Sequence, residues 1–152
     1  IRGYDDNLNF SGGVSILLWA GILFTGISAP VALSQTTDPP SVLAGAFNEE
    51  QAVRGQVLYY QHCLNCHGES MDGVDKAPPL AGPQFSSNWN NAPLSTLATK
   101  ILSMPPENPD SLSQTESVDL LTYILWYNGL PLGEEPLSRE QAVLARVLFQ
   151  SP

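Results

Sequence analysis

The sequence predicts an all-α fold: a small helical domain preceded by an N-terminal apolar helix. Three observations carry that prediction. Apolar residues recur at helical spacing behind two capping signals, Asn48–Gln51 and Ser113–Glu116. No run alternates apolar and polar residues as a half-buried strand does, and no segment repeats. Between the helical stretches lies Cys63-Leu64-Asn65-Cys66-His67, followed by a segment rich in glycine and proline that reads as loop, not as a domain boundary.

The 152 residues leave room for one small domain and an extension. Residues 1–34 form the extension. From Val14 to Leu33 the chain is almost wholly apolar or small, and no charge occurs between Asp6 and Asp38. A membrane anchor needs about 20 apolar residues, and residues 14–33 supply them. A cleaved signal peptide is the alternative, with Ala32-Leu33-Ser34 as exit, but Arg2 is outweighed by Asp5 and Asp6 where a basic start is required. Residues 35–47, with Pro39, Pro40 and Gly45, read as a linker.

Asn48 opens a helix to about His62, with Glu49 and Glu50 at the positive end of its dipole. Val53, Gly55, Leu58 and Tyr59 are its expected inward positions, and Gly55 would let another helix approach closely. A second helix covers about Ser95–Leu102. A third starts at the capping box Ser113–Glu116, runs through Tyr127 with a wide apolar face, and stops at Asn128-Gly129. It is expected to cross the first helix near Gly55. A last amphipathic helix, Ser138 to about Phe149, occupies the tail 134–152. Its stripe of Val143, Leu144, Val147 and Leu148 would pack on its own domain or, alternatively, on a partner.

C-x-x-C-H is the attachment signature of a c-type haem. Two thiols three residues apart lie on one face of a helical turn and reach the two vinyl groups on one porphyrin edge. His67 is then held beneath the iron. A thioredoxin-like dithiol would sit where a strand meets a helix N-terminus, whereas this motif ends a helical stretch. Zinc would need four ligands, and the chain offers two cysteines and, beyond His67, only His62. A disulfide across a two-residue gap is strained.

Met71 and Met104 are the candidates for a sixth ligand. Met71 follows His67 too closely to cross the ring easily. Met104 lies 37 residues on, beside the stiff Pro105-Pro106, and is favoured, with core packing as the bland alternative. In the intervening loop, the Pro79 carbonyl is placed to accept from His67 Nδ1–H. Leu80, Phe85 and Trp89 would cover the ring, and the Trp89 indole would reach a propionate. For Phe85 and Trp89 ordinary core packing explains the residues equally well.

Formal charge is −9 and the pI about 4.3. Six scattered Lys and Arg make nucleic acid a poor partner. From Asp38 onward five basic residues face thirteen acidic ones, so a docking partner is expected to present a positive or neutral surface.

The stretch from Phe47 to about Gly133 resembles class I cytochromes c. The likeness rests on Arg54-Gly55, Leu58-Tyr59, Cys63 to Gly68, Pro78-Pro79-Leu80, Phe85, Trp89, Met104-Pro105-Pro106, Tyr123-Ile124-Leu125 and Asn128-Gly129-Leu130-Pro131. The combination looks most like the cytochrome subunits or domains that accompany periplasmic quinoprotein alcohol dehydrogenases. The resemblance implies a small class I fold over residues 48–133, wrapped around one covalent haem c. It also implies His67 and Met104 on the iron, the Pro79 carbonyl behind His67, and electron transfer through an exposed haem edge. Such a protein is a one-electron Fe(III)/Fe(II) carrier without substrate chemistry of its own. Its donor would be a dehydrogenase or membrane oxidoreductase, and its acceptor an oxidase or another cytochrome. Covalent haem implies the bacterial periplasmic side, anchored through residues 14–33 or soluble after cleavage. The competing function is a haem-based gas sensor or peroxidase-like enzyme in which Met104 dissociates.

Overall fold

The computed structural model describes residues 41–109 and 111–152; the expected anchor or signal segment 1–34, and residues 35–40 of the expected linker, lie outside them. Among the described residues no helix is long and apolar enough to cross a membrane.

Helix α1 (Glu49–His62) starts where its cap requires. Asn48 is extended, and its Oδ1 accepts from the Gln51 N–H at 3.1 Å. The inward face is Gln51, Ala52, Gly55 and Tyr59, with Leu58 partly buried. Val53, expected inward, is 45% exposed. Gln51 takes the inner register instead because it meets a backbone that needs it. Its Nε2 donates to the Leu137 carbonyl at 3.1 Å, and its Oε1 accepts from the Leu137 N–H at 2.6 Å. The two bonds to main-chain groups offset the cost of taking this amide out of water.

Helix α2 (Leu64–His67) continues almost directly from α1, and Tyr59 ties the two together by donating from its hydroxyl to the Gly68 carbonyl at 2.6 Å. Helix α3 (Gly82–Trp89) lies inside the segment expected to be loop. Gly82 has φ +78°, and Pro83 falls in the first turn, where a missing N–H costs nothing. Helix α4 (Leu94–Leu102) matches the expected second helix.

Helix α5 (Gln114–Tyr127) is the centre of the domain. Its capping box is complete: Ser113 Oγ accepts from the Glu116 N–H at 3.2 Å, and Glu116 Oε2 accepts from the Ser113 N–H at 2.8 Å. Every residue from Ser117 to Leu125 is buried. It packs on α1 and on α4. The crossing with α1 falls at Gly55, where an added Cβ would lie 1.9 Å from the Asp119 carbonyl oxygen. Beside the crossing, Asp119, only 3% exposed, accepts from Arg54 Nε at 2.8 Å.

The tail differs from expectation. A single helical turn, α6 (Gln141–Leu144), replaces the helix expected over Ser138–Phe149. Beyond it the chain is extended, and the buried residues are Val147 and Phe149. Two apart, they follow the period of a strand and not of a helix. Their backbone is engaged as well: Val147 accepts from the Leu94 N–H at 2.9 Å, and Phe149 exchanges bonds with Asn91 and Ala92. Leu148 forms isolated bridges with Ser41 and Pro93, and Ser41 Oγ donates to Gln150 Oε1. The tail thus packs on its own domain. The last part of the expected linker does too, since Val42 and Phe47 are fully buried and the Phe47 carbonyl accepts from the Gly133 N–H at 2.7 Å.

Candidate functional site

One cavity of about 1080 Å³ gathers the residues singled out in the sequence. Cys63, Cys66, His67, Pro79, Leu80, Phe85, Trp89 and Met104 all line it. Its volume lies just above the range for cofactor clefts, about 300–1,000 Å³. Met71 is elsewhere: it is fully buried in the core, and its carbonyl accepts from the Leu80 N–H at 2.8 Å.

The motif is positioned by the end of α1. The Cys63 carbonyl accepts from the N–H groups of Cys66 (3.2 Å) and His67 (2.9 Å), which winds the turn. The loop then folds back beneath it, with Gly73 N–H on the His67 carbonyl and Val74 N–H on the Cys66 carbonyl. This return brings the Pro78 carbonyl, not that of Pro79, to 2.9 Å from His67 Nδ1. Of two consecutive prolines, the tightly tethered turn selects the earlier one, and Pro79 becomes wall. A carbonyl carries no proton, so Nδ1–H is the donor and Nε2 keeps a free lone pair. Burial lowers the His67 pKa, with the Pro78 contact opposing it, so the neutral imidazole required of a metal ligand is favoured.

The two thiols differ. Cys66 is exposed, while Cys63 is half-buried and burial pushes its thiol up to about 11. A thiol raised this far is a poor thiolate nucleophile, which is the reverse of what a redox dithiol needs. Among the described residues no three side chains from His, Cys, Asp and Glu are arranged so that they could hold a metal ion by themselves. A metal here would need most of its ligands from another source, as a tetrapyrrole provides.

The rest of the wall is apolar and comes from helical repeats. Leu97 and Ile101 on α4, and Leu120 and Ile124 on α5, each lie four apart and share a face. None of the four is among the site residues expected from the sequence, although their spacing is visible there. Phe85 is buried, edge-on to Phe149 at 5.5 Å, so the tail braces this wall. Asn128, outside the cavity, tethers the wall residue Leu80 to the start of α3: it donates to the Leu80 carbonyl at 2.9 Å and accepts from the Gly82 N–H at 3.0 Å. A cavity with apolar walls, two accessible thiols at one edge, an oriented imidazole and a thioether sulfur fits a covalently attached haem.

The comparisons agree with that fit. A family model described as Cytochrome C oxidase, cbb3-type, subunit III, matches residues 50–124. The chain is 35% identical over 96 residues to the thiosulfate dehydrogenase of Allochromatium vinosum, which covers 58% of this chain and 35% of that protein. It therefore spans about a third of the curated relative it matches. The crystal structure of the sulfane dehydrogenase SoxCD from Paracoccus pantotrophus shares the fold with a TM-score of 0.50 at 23% identity, covering 75% of this chain and 66% of that one.

Proposed function

We infer that the cytochrome c domain of this chain, residues 50–124, carries one covalent haem c and serves as a one-electron carrier for a dehydrogenase on the bacterial periplasmic side. The observation that carries this reading is the shared cavity: both motif cysteines, an imidazole anchored through Nδ1, and Met104 line a single apolar wall. When bound, the haem supplies an Fe(III)/Fe(II) couple. The chain's residues do the rest. Cys63 and Cys66 would hold the ring through thioether links. His67, oriented by the Pro78 carbonyl, would ligate the iron through Nε2. Met104 would supply a thioether ligand, which favours the ferrous state. Leu97, Ile101, Leu120 and Ile124 would give the group an apolar surrounding, which disfavours the more highly charged ferric form.

The donor we propose is a dehydrogenase catalytic subunit or domain. Both matched proteins are named as dehydrogenases of sulfur compounds, which makes that class the first donor to assay, ahead of the alcohol dehydrogenases suggested by the sequence motifs. Residues 14–33 would anchor the chain to the membrane.

Maturation in a host that exports and attaches haem tests the reading. The purified chain should show Soret absorption that survives denaturation, and CO should leave its ferrous spectrum unchanged. Met104→Ala should abolish the weak near-infrared band of a Met-ligated ferric haem and open the iron to CO. Rapid CO binding by the unaltered protein would instead mark a sensor or peroxidase-like site, and colourless protein would end the haem reading.

A further inference from the structure

We propose that Phe149 is a positioning residue for the haem site: through Phe85 it holds α3 in the cavity wall and so sets the balance between ferrous and ferric iron. This rests on the haem reading above and adds a residue outside the matched family segment, which ends at residue 124. Helix α3 gives Phe85 and Trp89 to the wall, yet among the described elements it packs on no other helix. Helices α1 and α4 both pack on α5, and α3 does not. Short helices owe their stability mainly to the packing of one face, so the eight residues of α3 need a substitute for it.

Two supports take that place. At the start of α3 the Gly82 N–H donates to Asn128 Oδ1 at 3.0 Å. Behind it, the fully buried ring of Phe149 meets Phe85 edge-on, with centroids 5.5 Å apart and planes at 81°. Ring quadrupoles favour that arrangement. Phe149 is itself fixed. Its N–H donates to the Ala92 carbonyl at 2.9 Å, and its carbonyl accepts from the Asn91 N–H at 2.8 Å. The Val147 carbonyl accepts from the Leu94 N–H at 2.9 Å. These bonds clip the tail to the turn between α3 and α4. Phe149 does not line the cavity, so it acts on the haem only by way of Phe85. Phe85 in turn packs on Trp89, one helical turn on, at 6.3 Å between centroids. Removing the ring behind Phe85 lets α3 withdraw and admits water to the wall. Water stabilises the more highly charged ferric iron, so the potential falls.

The test is a redox titration of the haem-loaded full chain carrying Phe149→Leu, Phe149→Val or Phe149→Ala. The midpoint potential should fall progressively in that order. For Phe149→Ala the Fe(II)/Fe(III) ratio at a fixed ambient potential should drop on the order of tenfold, which is about 59 mV for one electron. The near-infrared band of the Met-ligated ferric haem should persist, which separates this fall from a loss of sulfur. Hydrogen exchange of the α3 amides should quicken, while that of Ser117–Leu125 stays as in the parent. In a Phe85→Leu background the Phe149→Ala change should move the potential far less, because its route to the haem is gone. Leu137→Ala truncates a buried side chain beside the start of α1; it should lower Tm and leave the potential alone. If Phe149→Ala yields no coloured protein, Phe149→Val and Phe149→Leu carry the same comparison. The proposal is overturned if the coloured variants keep the parent's potential despite a lower Tm, or if the near-infrared band vanishes with the fall. It is equally overturned if Leu137→Ala shifts the potential as much. The Soret band of the unaltered chain reports the haem reading separately: its absence ends that reading, whereas its presence with unmoved potentials ends this proposal alone.

Discussion

Gly55→Ala probes the helix crossing on which the site depends. A Cβ at residue 55 would lie 1.9 Å from the Asp119 carbonyl oxygen, 2.6 Å from its carbonyl carbon and 2.9 Å from Tyr123 Cβ. The two nearest atoms are main chain, so no side chain can rotate out of the way, and α1 must move off α5. In an exposed helix the same change would stabilise by about 1 kcal/mol. Overpacking typically costs about 1–3 kcal/mol, and a clash with main chain belongs at the upper end, so the net loss is about 2 kcal/mol. For a domain of this size that is a fall in Tm of about 10 °C. Far-UV circular dichroism of the haem-loaded protein reads it directly. Gly82→Ala is the matched control: it has φ +78° but no atom within 4 Å, so only backbone strain of about 1–2 kcal/mol is at stake. A Gly55→Ala protein as stable as the parent would refute the claim that this contact sets the crossing.

Two further substitutions test other supports. Gln51→Leu keeps the volume but strands the buried N–H and carbonyl of Leu137, and should cost about 2–6 kcal/mol by urea titration, since each of the two unpaired groups costs about 1–3 kcal/mol. Ser113→Ala removes an N-cap and should cost about 1 kcal/mol. It should also change the response to acid. The Ser113 N–H and hydroxyl hold the Glu116 carboxylate below its usual range, so the stability it contributes is present above that range and is lost as pH falls through the lowered pKa. The Ser113→Ala protein should therefore show a flatter dependence of Tm on pH over the acid limb than the parent.

What the sequence disclosed, and what it hid, follows from the range of the forces involved. C-x-x-C-H and the capping box were legible because they are local, with every partner inside five residues. The Gly55 crossing was legible because a glycine inside a helix is costly unless something needs its space. The α3 helix was hidden because Gly82-Pro83 reads as a breaker, although the same pair can start a helix: glycine turns the chain in, and proline sits where no N–H is needed. The extended tail is hidden in the sequence because Val143, Leu144 and Val147 keep helical spacing, and only the pairing of Val147 and Phe149 with residues 91–94 settles the extended form. Val53 lost its inward place to Gln51 through a partner 86 residues away. The choice between Pro78 and Pro79 depended on how the loop returns under His67.

The two proposed iron ligands belong to elements that do not pack on each other. His67 continues from α1 through α2, and Met104 follows α4. Among the described elements α1 and α4 share no packing, while each packs on α5. The separation of imidazole from thioether is therefore set by two contacts in series, α1 on α5 and α4 on α5. The run Ser117–Leu125 serves both, with Asp119 and Tyr123 toward α1, and Leu120 and Ile124 toward the cavity. A change at one contact should then alter the ligand spacing before it unfolds the domain. Gly55→Ala lifts α1, and His67 with it, while α4 and Met104 stay seated on α5. The longer gap falls on the weaker bond, the one to sulfur, so the ferrous Gly55→Ala protein should bind CO at temperatures well below its Tm, where the parent does not. CO resistance that persists until the helices melt would mean that the covalent haem itself, and not the crossing of α1 with α5, holds the two ligands in register.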